Sequence, residues 1–227
     1  LPFSVRMNKI LLKKLLAEFV GTCFLVMIVV GSGIMAQSLS TDQLSILLAN
    51  TIATGAGLTA LIWIFISISG AHFNPAVSLI MFLKKELTFK EFSCFSCAQF
   101  VGGFFGVIIS NIMFGMDPVQ ISENSRSGLN IYFSELVATF GLIITILGVR
   151  KLSTLAIAPA VGLYISAGYW FTSSTSFANP AVTFARGFSD TFTGIHPEFI
   201  LSFIIFQIIG ACLAMLFMSY VQNDEIK

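Results

Sequence analysis

Two Asn-Pro-Ala tripeptides, Asn74-Pro75-Ala76 and Asn179-Pro180-Ala181, are the residues whose type and spacing point most directly to chemistry. A Pro just inside a helix start gives up an N–H that has no partner there anyway, and Asn is a favoured N-cap before it. Each tripeptide therefore predicts the start of a helix, continued by Val77 to Leu83 in one case and Val182 to Phe188 in the other, both too short to cross a membrane. If both helices begin at one depth in a bilayer, the positive ends of their dipoles meet there. That arrangement repels cations and hydrated protons, while the Asn74 and Asn179 amides remain able to donate to neutral hydroxylated molecules.

Glu18 and Glu135 lie inside apolar runs, where a lipid-exposed charge costs about 2.5–3.5 kcal/mol, so both are expected to face the protein interior. Cys94 and Cys97 form a Cys-x-x-Cys at helical spacing. With no second pair or His nearby, small apolar packing is favoured over a redox or metal role. Cys23 and Cys212 are scattered, so no disulfide framework is implied, and nothing in the chain names a cofactor or a metal. Gly21, Gly102, Gly103, Gly106, Gly162 and Gly210 read as close helix contacts.

The elements that must carry these residues follow from composition. Of 227 residues 56% are hydrophobic and 10% charged, and the mean hydropathy is +0.91. Soluble chains carry roughly 25% charge, so much of this surface must face lipid. The net charge of +1 gives no argument for nucleic acid. Apolar runs over about 11–37, 44–68, 92–114, 131–149, 154–172 and 199–221 predict six transmembrane helices. Six spans leave no room for a separate soluble catalytic domain.

Arg6, Lys9, Lys13 and Lys14 precede the first run, Lys84, Lys85 and Lys90 the third, Arg150 and Lys151 separate the fourth and fifth, and Lys227 ends the chain. The positive-inside rule then puts both termini in the cytoplasm. Asp42, Asp117, Glu123, Asp190 and Glu198 fall on the other side with Arg126 and Arg186, so a mildly acidic outer mouth is expected. The chain starts at Leu1, with Met7 as another candidate initiator; Lys13-Lys14 and the apolar stretch up to Ala36 also have the outline of a signal peptide.

An internal repeat argues against cleavage there. Glu18-Phe-Val-Gly-Thr22 matches Glu135-Leu-Val-Ala-Thr139, Gln99-Phe-Val-Gly102 matches Gln207-Ile-Ile-Gly210, and the Asn-Pro-Ala tripeptides fall between, with Asn-to-Gln separations of 25 and 28. Three spans per half is an odd number, so the second copy is inverted in the membrane. Inverted repeats place a substrate path near the midplane, built from interrupted helices.

On Ala17-Glu-Phe-Val-Gly-Thr22, Ser69-Gly-Ala-His-Phe-Asn-Pro-Ala-Val77, Ala98-Gln-Phe-Val-Gly-Gly103 and Asn179-Pro-Ala181 the sequence resembles the aquaporin and aquaglyceroporin family, the major intrinsic proteins. The resemblance spans nearly the whole chain as a single channel domain, with repeats at about 8–114 and 131–221. It implies an all-α membrane protein of six tilted helices plus two re-entrant half-helices, one pore per subunit and a homotetramer in the inner or plasma membrane. It also implies that Glu18 and Glu135 bond re-entrant loop backbone, with Gln99 and Gln207 in the same buried setting. His72 would stand at the cytoplasmic pore entrance, lining the pore or tied to loop backbone.

The family usually carries Arg directly after the second Asn-Pro-Ala; here that position is Val182. Counted without gaps, the remaining constriction positions are Thr54, Ala167 and Ser176. Such a ring would be wider and less strongly donating than in water-selective or glycerol-selective members. Arg186, one turn beyond Val182, reaches the pore mouth in one reading and a loop carboxylate such as Asp190 in the other. Phe177, Tyr169 and Trp170 narrow the pore only if the helix turns differently. The expected cargo is water and small neutral solutes such as glycerol-like polyols, urea or neutral metalloid hydroxides; a mainly water-selective pore, an ion-coupled transporter and a thiol oxidoreductase are the alternatives.

Overall fold

The computed structural model describes residues 3–222; Leu1 and Lys227, on which the readings of chain start and terminal charge rest, lie outside them. Eight α-helices follow one another: α1 (Phe3–Leu39), α2 (Gln43–Ser69), α3 (Pro75–Leu83), α4 (Phe89–Met113), α5 (Leu129–Val149), α6 (Ile157–Phe171), α7 (Pro180–Arg186) and α8 (Pro197–Val221). All but the short α3 and α7 are long and apolar enough to cross a membrane, with the span of α6 including the 3-10 turn Thr154–Ala156 before it. Their outward faces carry large apolar side chains such as Leu48, Ile52, Trp63, Leu163, Leu201 and Leu213, which in a bilayer is the inexpensive arrangement.

Local signals set the helix ends. Asp42 caps α2 by accepting from Ser45 N at 2.9 Å and Ser45 Oγ at 2.6 Å, and these bonds hold its carboxyl below the usual carboxylate range. Thr88 and Glu91 close a capping box on α4. Gly70 ends α2 in the left-handed conformation, φ 92°, and turns the chain into the loop before α3.

The two halves pack alike: α1 lies along α4 and α5 along α8, with α2 against α6 joining them. Glycine permits the closest approaches. A Cβ on Gly102 of α4 would meet Phe19 O at 2.4 Å, and one on Gly210 of α8 would meet Leu136 O at 2.2 Å. These are equivalent positions, each pressed against the backbone one residue after Glu18 or Glu135, so the contact sets how near the long helices stand to the acids. Gly55, facing Gly162 across the α2–α6 seam, carries no motif and is absent from the sequence-based set.

Gly102→Val and Gly210→Val are each expected to lower the thermal midpoint of the purified protein, at a cost of about 1–3 kcal/mol from overpacking against backbone. Gly148→Ala, whose Cβ would meet nothing nearer than Met218 Cε at 3.7 Å, is expected to leave it in place. Equal midpoints for all three, by fluorescence-monitored melting in detergent, would show that the seams are not close-packed.

Candidate functional site

The segments leading into α3 and α7 are non-helical backbone in the middle of the bundle, and every polar group in them needs a protein partner. Ala71, Phe73, Ser176 and Ala178 all have φ between 49° and 52°, three residues and one residue before each motif asparagine. Left-handed backbone costs a non-glycine residue about 1–2 kcal/mol, so something must hold it. The carboxylates do. Glu18 Oε1 accepts from His72 N at 3.0 Å and Ser69 Oγ at 2.6 Å, while Oε2 accepts from Phe73 N at 2.7 Å and Gln99 Nε2 at 2.8 Å. Glu135 repeats this on the other loop, accepting from Phe177 N at 2.9 Å, Ala178 N at 2.8 Å and Gln207 Nε2 at 2.6 Å. Gln99 and Gln207 in turn donate to Ser78 Oγ and Thr183 Oγ1 of the half-helices, at 2.9 and 2.8 Å.

The loops then lock onto each other. Asn74 Nδ2 donates to Ala178 O at 2.7 Å and Asn179 Nδ2 to Phe73 O at 2.8 Å. Their Oδ1 atoms cap the half-helices, accepting from Ala76 N at 2.9 Å and Ala181 N at 3.0 Å, with Pro75 and Pro180 at the first helical positions. The two helix N-termini therefore meet head to head. Each amide has spent one N–H on the opposite loop, and both asparagines line the central cavity, so the second N–H of each is left for a passing molecule.

That cavity has a volume of about 710 Å³ and runs from Lys84, Glu86 and Arg150 at one end to Arg186 at the other. One wall is apolar: Leu58, Ile62 and Ile66 of α2, and Val161 and Ile165 of α6, recur at helical spacing. The facing wall is the loop backbone with the two asparagines. His72 lines it, with Nδ1 3.0 Å from Ser78 Oγ and its ring edge-on to Phe95 at 5.5 Å. At the Lys84 end, Arg150 makes a two-pronged pair with Glu86 at 2.9 and 3.0 Å.

The Arg186 end differs from the sequence-based ring. Thr54, Ser176 and Val182 line it, but Ala167 does not: it is exposed on the outer face of α6. Val161, Ile165 and Tyr169 share the inner stripe at intervals of four, and at 100° per residue a side chain two positions away points to the opposite side. Tyr169 takes that wall instead, its hydroxyl 3.1 Å from Thr54 Oγ1, whereas Trp170 faces outward. Arg186 is 2% exposed, turned into the cavity wall, with its guanidinium carbon 3.4 Å from the Phe177 ring centroid and Nε donating to Thr193 O. No arginine follows the motif directly, but Arg186, one turn further on, lines this end; α7 closes there rather than at Phe188, where the sequence extends the half-helix. Asp190 is occupied elsewhere, accepting from Glu123 N at 2.9 Å.

Arg126, in the loop between α4 and α5, was not singled out from the sequence. It lies 4.9 Å from the same Phe177 ring and donates to the carbonyls of Gly194 at 2.8 Å, Phe192 at 3.0 Å and Ser174 at 3.4 Å. Burial pulls it down to about 10, so it remains a cation at neutral pH. The mildly acidic mouth expected from residue counts is basic at its inner end, because both arginines turn inward while Asp42 caps α2 and Asp190 accepts from Glu123 N of the α4–α5 loop. Cys97 is exposed and Cys94 half-buried, so Cys97 is not the buried apolar group its type suggested.

Two re-entrant half-helices meeting inside a bundle of six membrane-crossing helices, beside a cavity lined by their caps, define a transmembrane pore protein. A profile described as "MIP: Major intrinsic protein" matches residues 5–154. The chain belongs to the major intrinsic protein family. It is 46% identical over 210 residues to the aquaglyceroporin AqpS of Rhizobium meliloti (strain 1021), covering 92% of this chain and 90% of that one. Aquaporin TIP1-1 of Arabidopsis thaliana is 30% identical over 187 residues, 76% of this chain and 74% of that one. The fold matches the X-ray structure of the aquaglyceroporin from Plasmodium falciparum with a TM-score of 0.75 over 95% of this chain and 98% of that chain, at 23% identity.

Glu135→Gln would turn an acceptor of three hydrogen bonds into an amide whose own N–H groups face loop N–H groups. With bonds to a buried charge worth about 1.5–3 kcal/mol each, the expected outcome is a large fall in thermal midpoint and loss of flux, with Glu18→Gln behaving alike. A Glu135→Gln protein with normal midpoint and flux would show that the carboxylate does not hold the loop.

Proposed function

We propose that this protein is a passive channel for water and small uncharged solutes, taking glycerol-like polyols, urea or neutral metalloid hydroxides along the cavity. The observation that carries this reading is the reciprocal pair of bonds from Asn74 and Asn179 to Phe73 O and Ala178 O. They leave one amide N–H of each asparagine facing the cavity at the point where two helix N-termini oppose. A hydroxylated molecule gains those donors, and a cation meets the positive ends of two dipoles. The relative named aquaglyceroporin, aligned over most of both chains, supports solutes beyond water.

The chain works in this reading as one channel domain of two inverted repeats, with Thr54, Tyr169, Ser176, Val182 and Arg186 as its narrow end. Both termini lie in the cytoplasm, in keeping with the Lys and Arg distribution, so that His72 stands on the cytoplasmic side and Arg186 on the outer side. Four copies assemble in the plasma or inner membrane. A mainly water-conducting pore is favoured by one observation, the packing of Arg186 on Phe177 beside Tyr169 and Val182, each of them at most 5% exposed. Against ion coupling, the motif carboxylates Glu18 and Glu135 are taken up by loop amides and Gln side chains.

Stopped-flow light scattering on proteoliposomes separates these readings. Fast swelling in glycerol or urea, well above protein-free vesicles, is the expected result; water flux without solute entry would establish the water-selective alternative. Val182→Arg adds a third guanidinium beside Arg126 and Arg186 and is expected to reduce glycerol flux more than water flux. Equal reduction of both would mean that Val182 does not form part of the narrow end. Ionic current that scales with channel density in planar bilayers would refute the cation barrier.

A further inference from the structure

Two guanidinium groups stand over one aromatic ring at the Arg186 end, and among the described residues no carboxylate touches either of them. Among the described residues neither Arg126 nor Arg186 forms an ion pair. Arg126 has a carbonyl on each of its three nitrogens, whereas Arg186 has only its Nε bond to Thr193 O; no acceptor among the described residues takes its two Nη groups, and the residue lines the cavity. Glu135, the nearest acid inside the bundle, is committed to Phe177 N, Ala178 N and Gln207. Ser176 Oγ, on the residue before Phe177, is buried without a hydrogen-bond partner. Burying a cation without a counter-charge costs several kcal/mol, and the cost rises where a second cation shares the site.

We propose that the Arg186 end of the cavity is a subsite for a small, planar, monovalent oxyanion of the carboxylate or nitrate type. The two open Nη groups of a guanidinium lie in one plane and match two coplanar oxygens. Ser176 Oγ and the Thr54–Tyr169 hydroxyl pair supply further donors around the same end. Arg126 is a positioning residue: it clamps Phe177 from a second guanidinium contact, and its charge adds to the attraction. An anion seated there stands in the path of neutral solutes, so it acts as a competitive brake on flux. This last step rests on the channel reading above; the binding step does not.

Nitrate is the probe, because it is planar and permanently ionised, and gluconate at equal ionic strength is the reference, being a bulky polyhydroxylated anion that is neither small nor planar. In proteoliposomes with salt on both sides, nitrate at about twice its Kd is expected to slow glycerol entry about threefold relative to gluconate, as single-site occupancy requires. In detergent, nitrate is expected to raise the thermal midpoint above that in gluconate. Both effects should vanish in Arg186→Gln and shrink in Arg126→Gln. If Arg186→Gln does not fold, Arg186→Lys keeps the charge without the planar fork and should lose the preference for nitrate over chloride. Glycerol flux that is equal in nitrate and gluconate, with no midpoint shift, overturns the subsite and leaves the channel reading standing. Identical nitrate effects in the native protein and Arg186→Gln also overturn it. A nitrate-dependent midpoint that needs Arg186, in a protein with no glycerol flux in gluconate, upholds the subsite and sinks the channel reading instead.

Discussion

A carboxylate buried in a membrane protein is tolerable only where its lone pairs are taken, and here that requirement organises the centre of the molecule. Glu18 and Glu135 each gather two consecutive loop amides and one glutamine amide within 2.6–3.0 Å. The loops they hold contain left-handed alanines and a left-handed phenylalanine, conformations that need outside support. With no bulk water at that depth to bond the loop N–H groups, removing either acid would leave donors unpaired in an apolar surround. The position of the half-helices, and so the meeting point of their N-termini, follows from these two side chains.

The glycine seams serve the same end. Gly102 and Gly210 bring α4 and α8 against the backbone beside Glu18 and Glu135, which places Gln99 and Gln207 within reach of the carboxylates. A methyl group at either position would push the glutamine away from its acid. Packing between helices and hydrogen bonding in the loops are therefore one construction, present once in each half, and the crossed Asn74 and Asn179 bonds join the halves.

At the Arg186 end, a guanidinium joins the cavity wall from the last turn of α7. Val182 gives an apolar wall next to the motif, and one turn later Arg186 swings back over Phe177, so the charge that shapes this end comes from the last residue of α7. Arg126, from a loop 60 residues earlier in the chain, fixes the same ring from its own contact. The outcome is a tight, cationic, hydroxyl-bearing end opposite an apolar helical wall.

Six spans, two short helices starting at Asn-Pro-Ala, the duplication and the buried setting of Glu18 and Glu135 could all be read from the chain, because each rests on local physics: apolar length, N-cap chemistry and the cost of charge in lipid. Counting from the motifs reached Thr54, Ser176 and Val182, and it failed at Ala167, two residues from Tyr169, because rotation of α6 about its axis depends on what α2 and the loops present to it. The same holds for Arg186, whose direction is set by its contacts with Phe177 and Thr193, and for Arg126, which belongs to no motif. Apolar length and N-cap chemistry determined which segments enter the membrane and where the half-helices begin. Which side chains converge on the Arg186 end, and that two guanidiniums meet there over one ring without an ion pair, was decided by tertiary packing, since those contacts join residues from separate helices and loops whose relative rotation no local pattern encodes.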